Sequence, residues 1–152
     1  MKKIIAALIL TGCAGVALAQ QGPKPEDLIK WRQSGYGFMA WNVARIKINV
    51  EGQYNKDEVV QAANAIQAIA NSGMGKLYAP GTDKGKGWED TRVKAELFTD
   101  KEAVGKVAMA FTKEANEMAK VAAEGDAAAA KVQIGKLIDT CKGCHEKFKR
   151  KD

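Results

Sequence analysis

The chain has 152 residues, with 24 Lys and Arg against 18 Asp and Glu, a single histidine and a net charge of +6. That length suits one domain with a core of its own, and the charge is too small to argue for nucleic acid as a partner. Three prolines, at positions 23, 25 and 80, fall outside the long periodic segments, and Ala, Lys, Glu and Gln dominate the rest, so the composition reads as all-α.

Lys2 and Lys3, the apolar run Ile4 to Leu10 and the small-residue end Ala17-Leu18-Ala19 form a secretory signal peptide over residues 1–19, with cleavage before Gln20. The run is shorter than the ~20 residues needed to cross a bilayer, so the expectation is export to the periplasm without stable membrane insertion. Leu10-Thr11-Gly12-Cys13 also resembles a lipobox, which would make Cys13 a lipidated N-terminus. The short apolar run before it and the complete alternative site from Val16 to Ala19 favour cleavage after Ala19. The mature domain then spans residues 20–152, and loss of Lys2 and Lys3 lowers its charge from +6 to +4.

The first helix opens at Pro25-Glu26-Asp27, carries Leu28, Trp31, Phe38, Met39, Val43, Ile46 and Val50 as its apolar stripe, and ends near Glu51-Gly52. Trp41, Val43 and Ile48 also offer a second apolar patch on this helix. A second helix begins at Asn55, with Glu58 three residues on as in a capping box, and runs through Val59, Ala62, Ile66 and Ile69 towards Gly73. From Tyr78 to Thr91 glycine and proline are dense enough to predict one long loop. A third helix starts at Thr99 or Asp100, with Thr99 and Glu102 as a capping box, and Gly125 stops it. Asp126 caps the fourth, about 25 residues or roughly 37 Å long, whose face reads Ala130, Ile134, Leu137, Ile138, Cys141, Cys144, His145, Phe148. Four amphipathic helices with one long loop specify an antiparallel up-down-up-down four-helix bundle.

Cys141-Lys142-Gly143-Cys144-His145 is the C-x-x-C-H sequence of covalent c-type haem attachment. On a helix Cys141, Cys144 and His145 stand at i, i+3 and i+4 and share one face, so one turn holds two thiols for the haem vinyl groups and an imidazole for the iron. A redox-active C-x-x-C belongs at a helix start in a βαβ setting with a depressed thiol pKa, and no strand pattern precedes this one. A structural zinc site wants four ligands, more than these three with remote Cys13 can gather. Export and haem attachment agree, since bacterial c-type haem is attached outside the cytoplasm. The fourth helix places the haem near one end of the bundle, and any distal residue must come from another helix.

His145 is the only histidine, so a strong sixth ligand would have to be Met39, Met74, Met109 or Met118. The C-terminal motif on the last helix of four resembles the class II cytochromes, specifically the cytochrome c′ family. The resemblance runs from about Lys24 to Lys151 and includes Arg32-Gln33, Tyr78-Ala79-Pro80-Gly81-Thr82, Thr91-Arg92 and Lys149 four positions after the histidine. It implies a haem c bound through Cys141 and Cys144 with His145 as axial ligand and metal-binding residue. Low-spin relatives place a methionine four residues after the first-helix arginine, where this chain has Tyr36; the resemblance implies that Tyr36 covers the distal face without binding iron, which is then five-coordinate and high-spin. Met39, three residues further on, is read as packing.

The resemblance further implies that Arg32 and Gln33 contact the haem and its propionates, that Thr91 hydrogen-bonds a propionate, and that Lys149 lies on the proximal side. The implied function is binding of the small diatomic gases NO and CO together with electron transfer, in a homodimer formed through the first two helices. A low-spin electron carrier with a methionine ligand is the alternative, and a peroxidase is disfavoured for want of a second histidine. The basic end Lys147-Phe148-Lys149-Arg150-Lys151 reads as cations at a helix C-terminus, or as a docking patch for an acidic redox partner.

Overall fold

A computed structural model describes residues 22–151. The expected signal peptide and the lipobox cysteine Cys13 lie outside the described residues. Helix α1 spans Pro25–Glu51, with proline in its first turn beside Glu26 and Asp27, where a fixed φ and acidic side chains suit a helix N-terminus. Helix α2 spans Lys56–Ala70, and Asn55 caps it by accepting from the Glu58 amide at 3.1 Å. A 3-10 turn, Met74–Leu77, leads into the irregular stretch over residues 78–95, and a single helical turn, α3, spans Glu96–Thr99. Helix α4 covers Lys101–Glu124 and α5 covers Ala127–Phe148. Gly125 closes α4 in the left-handed region at φ 85°, and the Asp126 carboxylate then accepts from the amides of Ala128 and Ala129. The long helices pack α1 on α2, α2 on α4, α4 on α5 and α5 back on α1. The fold is an antiparallel four-helix bundle.

Its core joins Met39 and Ile46 of α1, Val59, Ala62, Ala63 and Ile66 of α2, Ala115, Met118, Ala119 and Ala122 of α4, and Ala130, Ile134 and Leu137 of α5. On α4 every fully buried residue lies in the second half, and on α5 all but Gln133 and Phe148 belong to that same cluster. The bundle is therefore closed tightly at one end. At the other, where α4 begins and α5 finishes, Leu97, Phe98, Val104, Val107 and Phe111 are only half-buried. Lys147 reaches Asp100 at 3.2 Å there and ties the two helix ends together.

Four expectations need correction. The inner face of α1 is rotated from the predicted stripe: Trp31 and Phe38 are exposed at 53% and 52%, while Arg32, Asn42 and Asn49 are buried. Hydropathy cannot anticipate this, because the buried amides are satisfied locally, Asn42 donating to the Phe38 carbonyl and Asn49 to the Arg45 carbonyl and Glu58. Val43 packs against the core and leaves the second patch. The cap of α4 is Asp100, which accepts from the Ala103 amide at 3.0 Å, because the Thr99 hydroxyl bonds back to Glu96 within α3. Helix α5 stops after 22 residues, about 33 Å, because Lys149 leaves it for an antiparallel bridge with Val93.

Candidate haem site

The open end of the bundle carries the C-x-x-C-H turn. Cys141 and Cys144 are free thiols and half-buried on the last turns of α5, and Cys141 Sγ donates to the Leu137 carbonyl at 3.5 Å. Burial pushes both thiols above their ordinary pKa, the opposite of what a redox-active C-x-x-C requires. Among the described residues no three of His, Cys, Asp and Glu gather into a metal-binding group, so a tetrahedral zinc site lacks its ligands. Desolvation, reinforced by the charges of Lys149 and Arg92, holds the His145 imidazole below its ordinary pKa. Neutral imidazole is the form that ligates iron.

Helix α1 and the long loop build the facing wall. Arg32 is 3% exposed, and its guanidinium donates to Thr82 Oγ1 at 2.8 Å, to Thr91 Oγ1 at 2.7 Å, to the Thr82 carbonyl and to the Leu77 carbonyl at 3.3 Å. It also stacks over the Tyr78 ring, 4.8 Å from the centroid. Gln33 works one position along, its Oε1 accepting from the Trp88 amide at 2.7 Å and its Nε2 donating to the Glu89 carbonyl at 2.9 Å. The loop comes so close to α1 that a Cβ on Gly87 would stand 2.8 Å from the Lys30 amide nitrogen, and only glycine fits. Tyr36, one turn beyond Arg32, has its phenol raised by desolvation, offset by a hydrogen bond from Tyr78. Cys144 and Cys141 both act on that phenol electrostatically, and Tyr36, 41% exposed, stands on the side of the bundle that carries the attachment turn.

The residues singled out from sequence lie towards one end of the fold, where Arg32 and Gln33 hold the long loop and Thr91 belongs to that loop. Thr82 and Tyr78, seen in sequence only as part of a resembling stretch, prove to be the partners of Arg32. A larger groove of about 590 Å³ between α4 and α5, around Glu114 and Gln133, holds none of these residues. A cleft of about 350 Å³ beside His145 is lined by Arg92, Glu146, Lys149, Arg150 and Lys151.

This donor set suits a c-type haem. Two thiols and an imidazole share a helical face, half-buried apolar side chains stand at the same end, and a buried guanidinium has no carboxylate partner among the described residues. A buried cation of that kind is stabilised by an anion, and a haem propionate is one. Residues 27–149 match the family described as Cytochrome C'. The chain belongs to the cytochrome c′ family. A cytochrome c′ of Rhodocyclus tenuis is 62% identical over 130 residues, spanning 85% of this chain and 98% of the relative. That of Allochromatium vinosum is 50% identical and spans 99% of this chain and 100% of the relative. Among solved structures, a cytochrome c′ with an unusual ligand-controlled dimer dissociation superposes with a TM-score of 0.83 at 53% identity, covering 86% of this chain and 100% of that one. Membership in the cytochrome c′ family implies a covalently bound c-type haem, for which Cys141 and Cys144 are present.

Proposed function

We propose that this cytochrome c′ family member is an exported, periplasmic haem c protein with five-coordinate, high-spin iron ligated by His145, which binds NO and CO and can pass electrons. The haem, when bound, supplies the iron that takes the gas and the electron. What carries the reading is Tyr36. The helix that faces the attachment turn presents a phenol there, 41% exposed, and a phenol, here raised further by desolvation, is protonated at neutral pH, which disfavours an anionic phenolate ligand. Met39 and Met118 are buried in the bundle core, Met109 is 69% exposed, and Met74 packs against Gly35. Packing of Met39, Met118 and Met74 and the exposure of Met109 weigh against the low-spin alternative. With His145 the only histidine, the usual distal acid-base group of a peroxidase is missing, and the proposed chemistry is binding and electron passage, not catalysis. Arg32, Gln33 and Thr91 are proposed to meet the propionates, and Lys149 to lie on the proximal side.

Optical spectra of the purified protein test this directly. A high-spin ferric spectrum, ready NO uptake, and a Met39→Ala variant with an unchanged spectrum are expected. A low-spin spectrum with a methionine-to-iron band would defeat the reading.

A homodimer is part of the same proposal, with the outer face of α1 as its contact. Trp31, Phe38, Trp41 and Ile48 are all exposed along that face, Phe38 and Trp41 stack with centroids 5.4 Å apart, and the Arg45 guanidinium lies 4.8 Å over the Trp41 ring. Large aromatics lined up on a surface are typical of an interface core. Trp41→Glu is expected to sediment as a monomer with the parent haem spectrum; a dimer unaffected by the change removes α1 from the interface. The cationic rim of the His145 cleft fits an acidic redox partner.

A further inference from the structure

The chain just beyond His145 is held by a strap from the long loop. Val93 and Lys149 form an antiparallel bridge, the Lys94 amide donates to the Phe148 carbonyl at 2.9 Å, and the Arg150 amide donates to the Arg92 carbonyl at 2.8 Å. The Arg150 guanidinium closes the strap from the other side, donating to the Val93 carbonyl at 3.1 Å and to the Thr91 carbonyl. Thr91 is thereby gripped twice, by Arg150 at its carbonyl and by Arg32 of α1 at its hydroxyl. The Lys94 ammonium adds contacts to the carbonyls of Glu146 and Lys147, which α5 leaves unpaired at its end.

His145 itself has no such support. A metal-ligating histidine usually donates its second ring N–H to a carbonyl or carboxylate, and this fixes the ring. Among the described residues no hydrogen bond joins the His145 ring to a protein group; of the residues lining its cleft, Arg92, Lys149, Arg150 and Lys151 cannot accept one, and the Glu146 carboxylate is not bonded to it. The ring's direction therefore depends on the helical turn that carries it. The His145 carbonyl accepts from the Lys149 amide at 3.0 Å, so the last turn of α5 is continuous with the strapped segment.

We propose that Arg150 is a positioning residue for His145: by pinning the chain after α5 to Thr91 and Val93, it fixes the last helical turn and with it the direction of the imidazole. The proposal rests on His145 being the axial ligand. Arg150 acts through backbone carbonyls and needs its forked guanidinium, since two acceptors on residues 91 and 93 are held at once.

The test compares Arg150→Ala, Arg150→Lys and Lys151→Ala in the haem-loaded protein. Amide exchange of Lys94, Lys149 and Arg150 is expected to accelerate roughly tenfold or more in Arg150→Ala, and the iron–histidine stretching band of the ferrous protein is expected to broaden and shift. Arg150→Lys recovers part of both, and Lys151→Ala, which removes a neighbouring charge without touching the strap, changes neither. Unchanged exchange in Arg150→Ala overturns the proposal, as does faster exchange with an unaltered band. An equal band shift in Lys151→Ala also overturns it, by assigning the effect to charge. The exchange measurement needs no iron–histidine band, so a parent lacking that band defeats the ligation reading while exchange still decides whether Arg150 pins the turn.

Discussion

A chain carrying Cys141→Ser and Cys144→Ser together is expected to lose covalent haem completely, so that acidified organic solvent strips all colour from the variant and none from the parent. The thioether bonds need thiols, and no described cysteine other than these two exists to replace them. Each single variant keeps one bond and is expected to stay coloured after extraction. The double variant should still take up haem reversibly, because His145, Arg32 and the apolar end of the bundle remain; its thermal midpoint then rises with added haem by mass action, whereas that of the parent does not. A serine double variant that keeps non-extractable haem would disprove attachment at this turn. The burial that raises both thiol pKa values also predicts that the haem-free parent reacts slowly with thiol reagents at neutral pH, as expected of anchors and not of redox cysteines.

How much of this was legible in the chain depended on whether the deciding contact was local. The limits of α1, the Asn55 cap, the Gly125 stop and the Asp126 cap each rest on interactions spanning a few residues, and the spacing of side chains contains them. The attachment turn is equally local, three residues on one helical face. Arg32 was legible only as a member of a resembling pattern, because its partners Thr82 and Thr91 lie 50 and 59 residues away, inside a loop whose glycines announce irregularity and nothing else. The same reason hid the strap that ends α5, where Lys149 pairs with Val93. The face of α1 was misjudged for another cause. A stripe drawn by hydropathy puts Trp31 and Phe38 inside and asparagines outside, yet an asparagine with its amide satisfied buries readily, and hydropathy does not distinguish an aromatic ring in a core from one on an outer face.

Replacement of Arg32 by alanine is expected to destabilise the protein by about 3 kcal/mol, because it leaves the Thr82 carbonyl, Thr91 Oγ1 and the part-buried Leu77 carbonyl without their charged donor. Burial already depresses the Arg32 pKa, so the fold carries a cost for holding this charge, and the variants separate cost from gain. Arg32→Met keeps the stem and discards both the charge and the donors; Arg32→Lys keeps the charge but offers one ammonium where a fork reached two threonines. If loop anchoring dominates, both variants lose most of the stability that alanine loses, with lysine somewhat better. A propionate partner makes a second, separable demand. Measured in the Cys141→Ser, Cys144→Ser background without haem, Arg32→Met reports the loop alone, and measured in the haem-loaded parent it reports loop plus propionate. The difference is a coupling energy, expected to be about 1 kcal/mol or more for a buried charge-assisted contact. A coupling indistinguishable from zero would restrict Arg32 to the loop and leave the propionates to Gln33 and Thr91, while equal denaturation midpoints for Arg32→Ala and the parent would remove the clamp altogether.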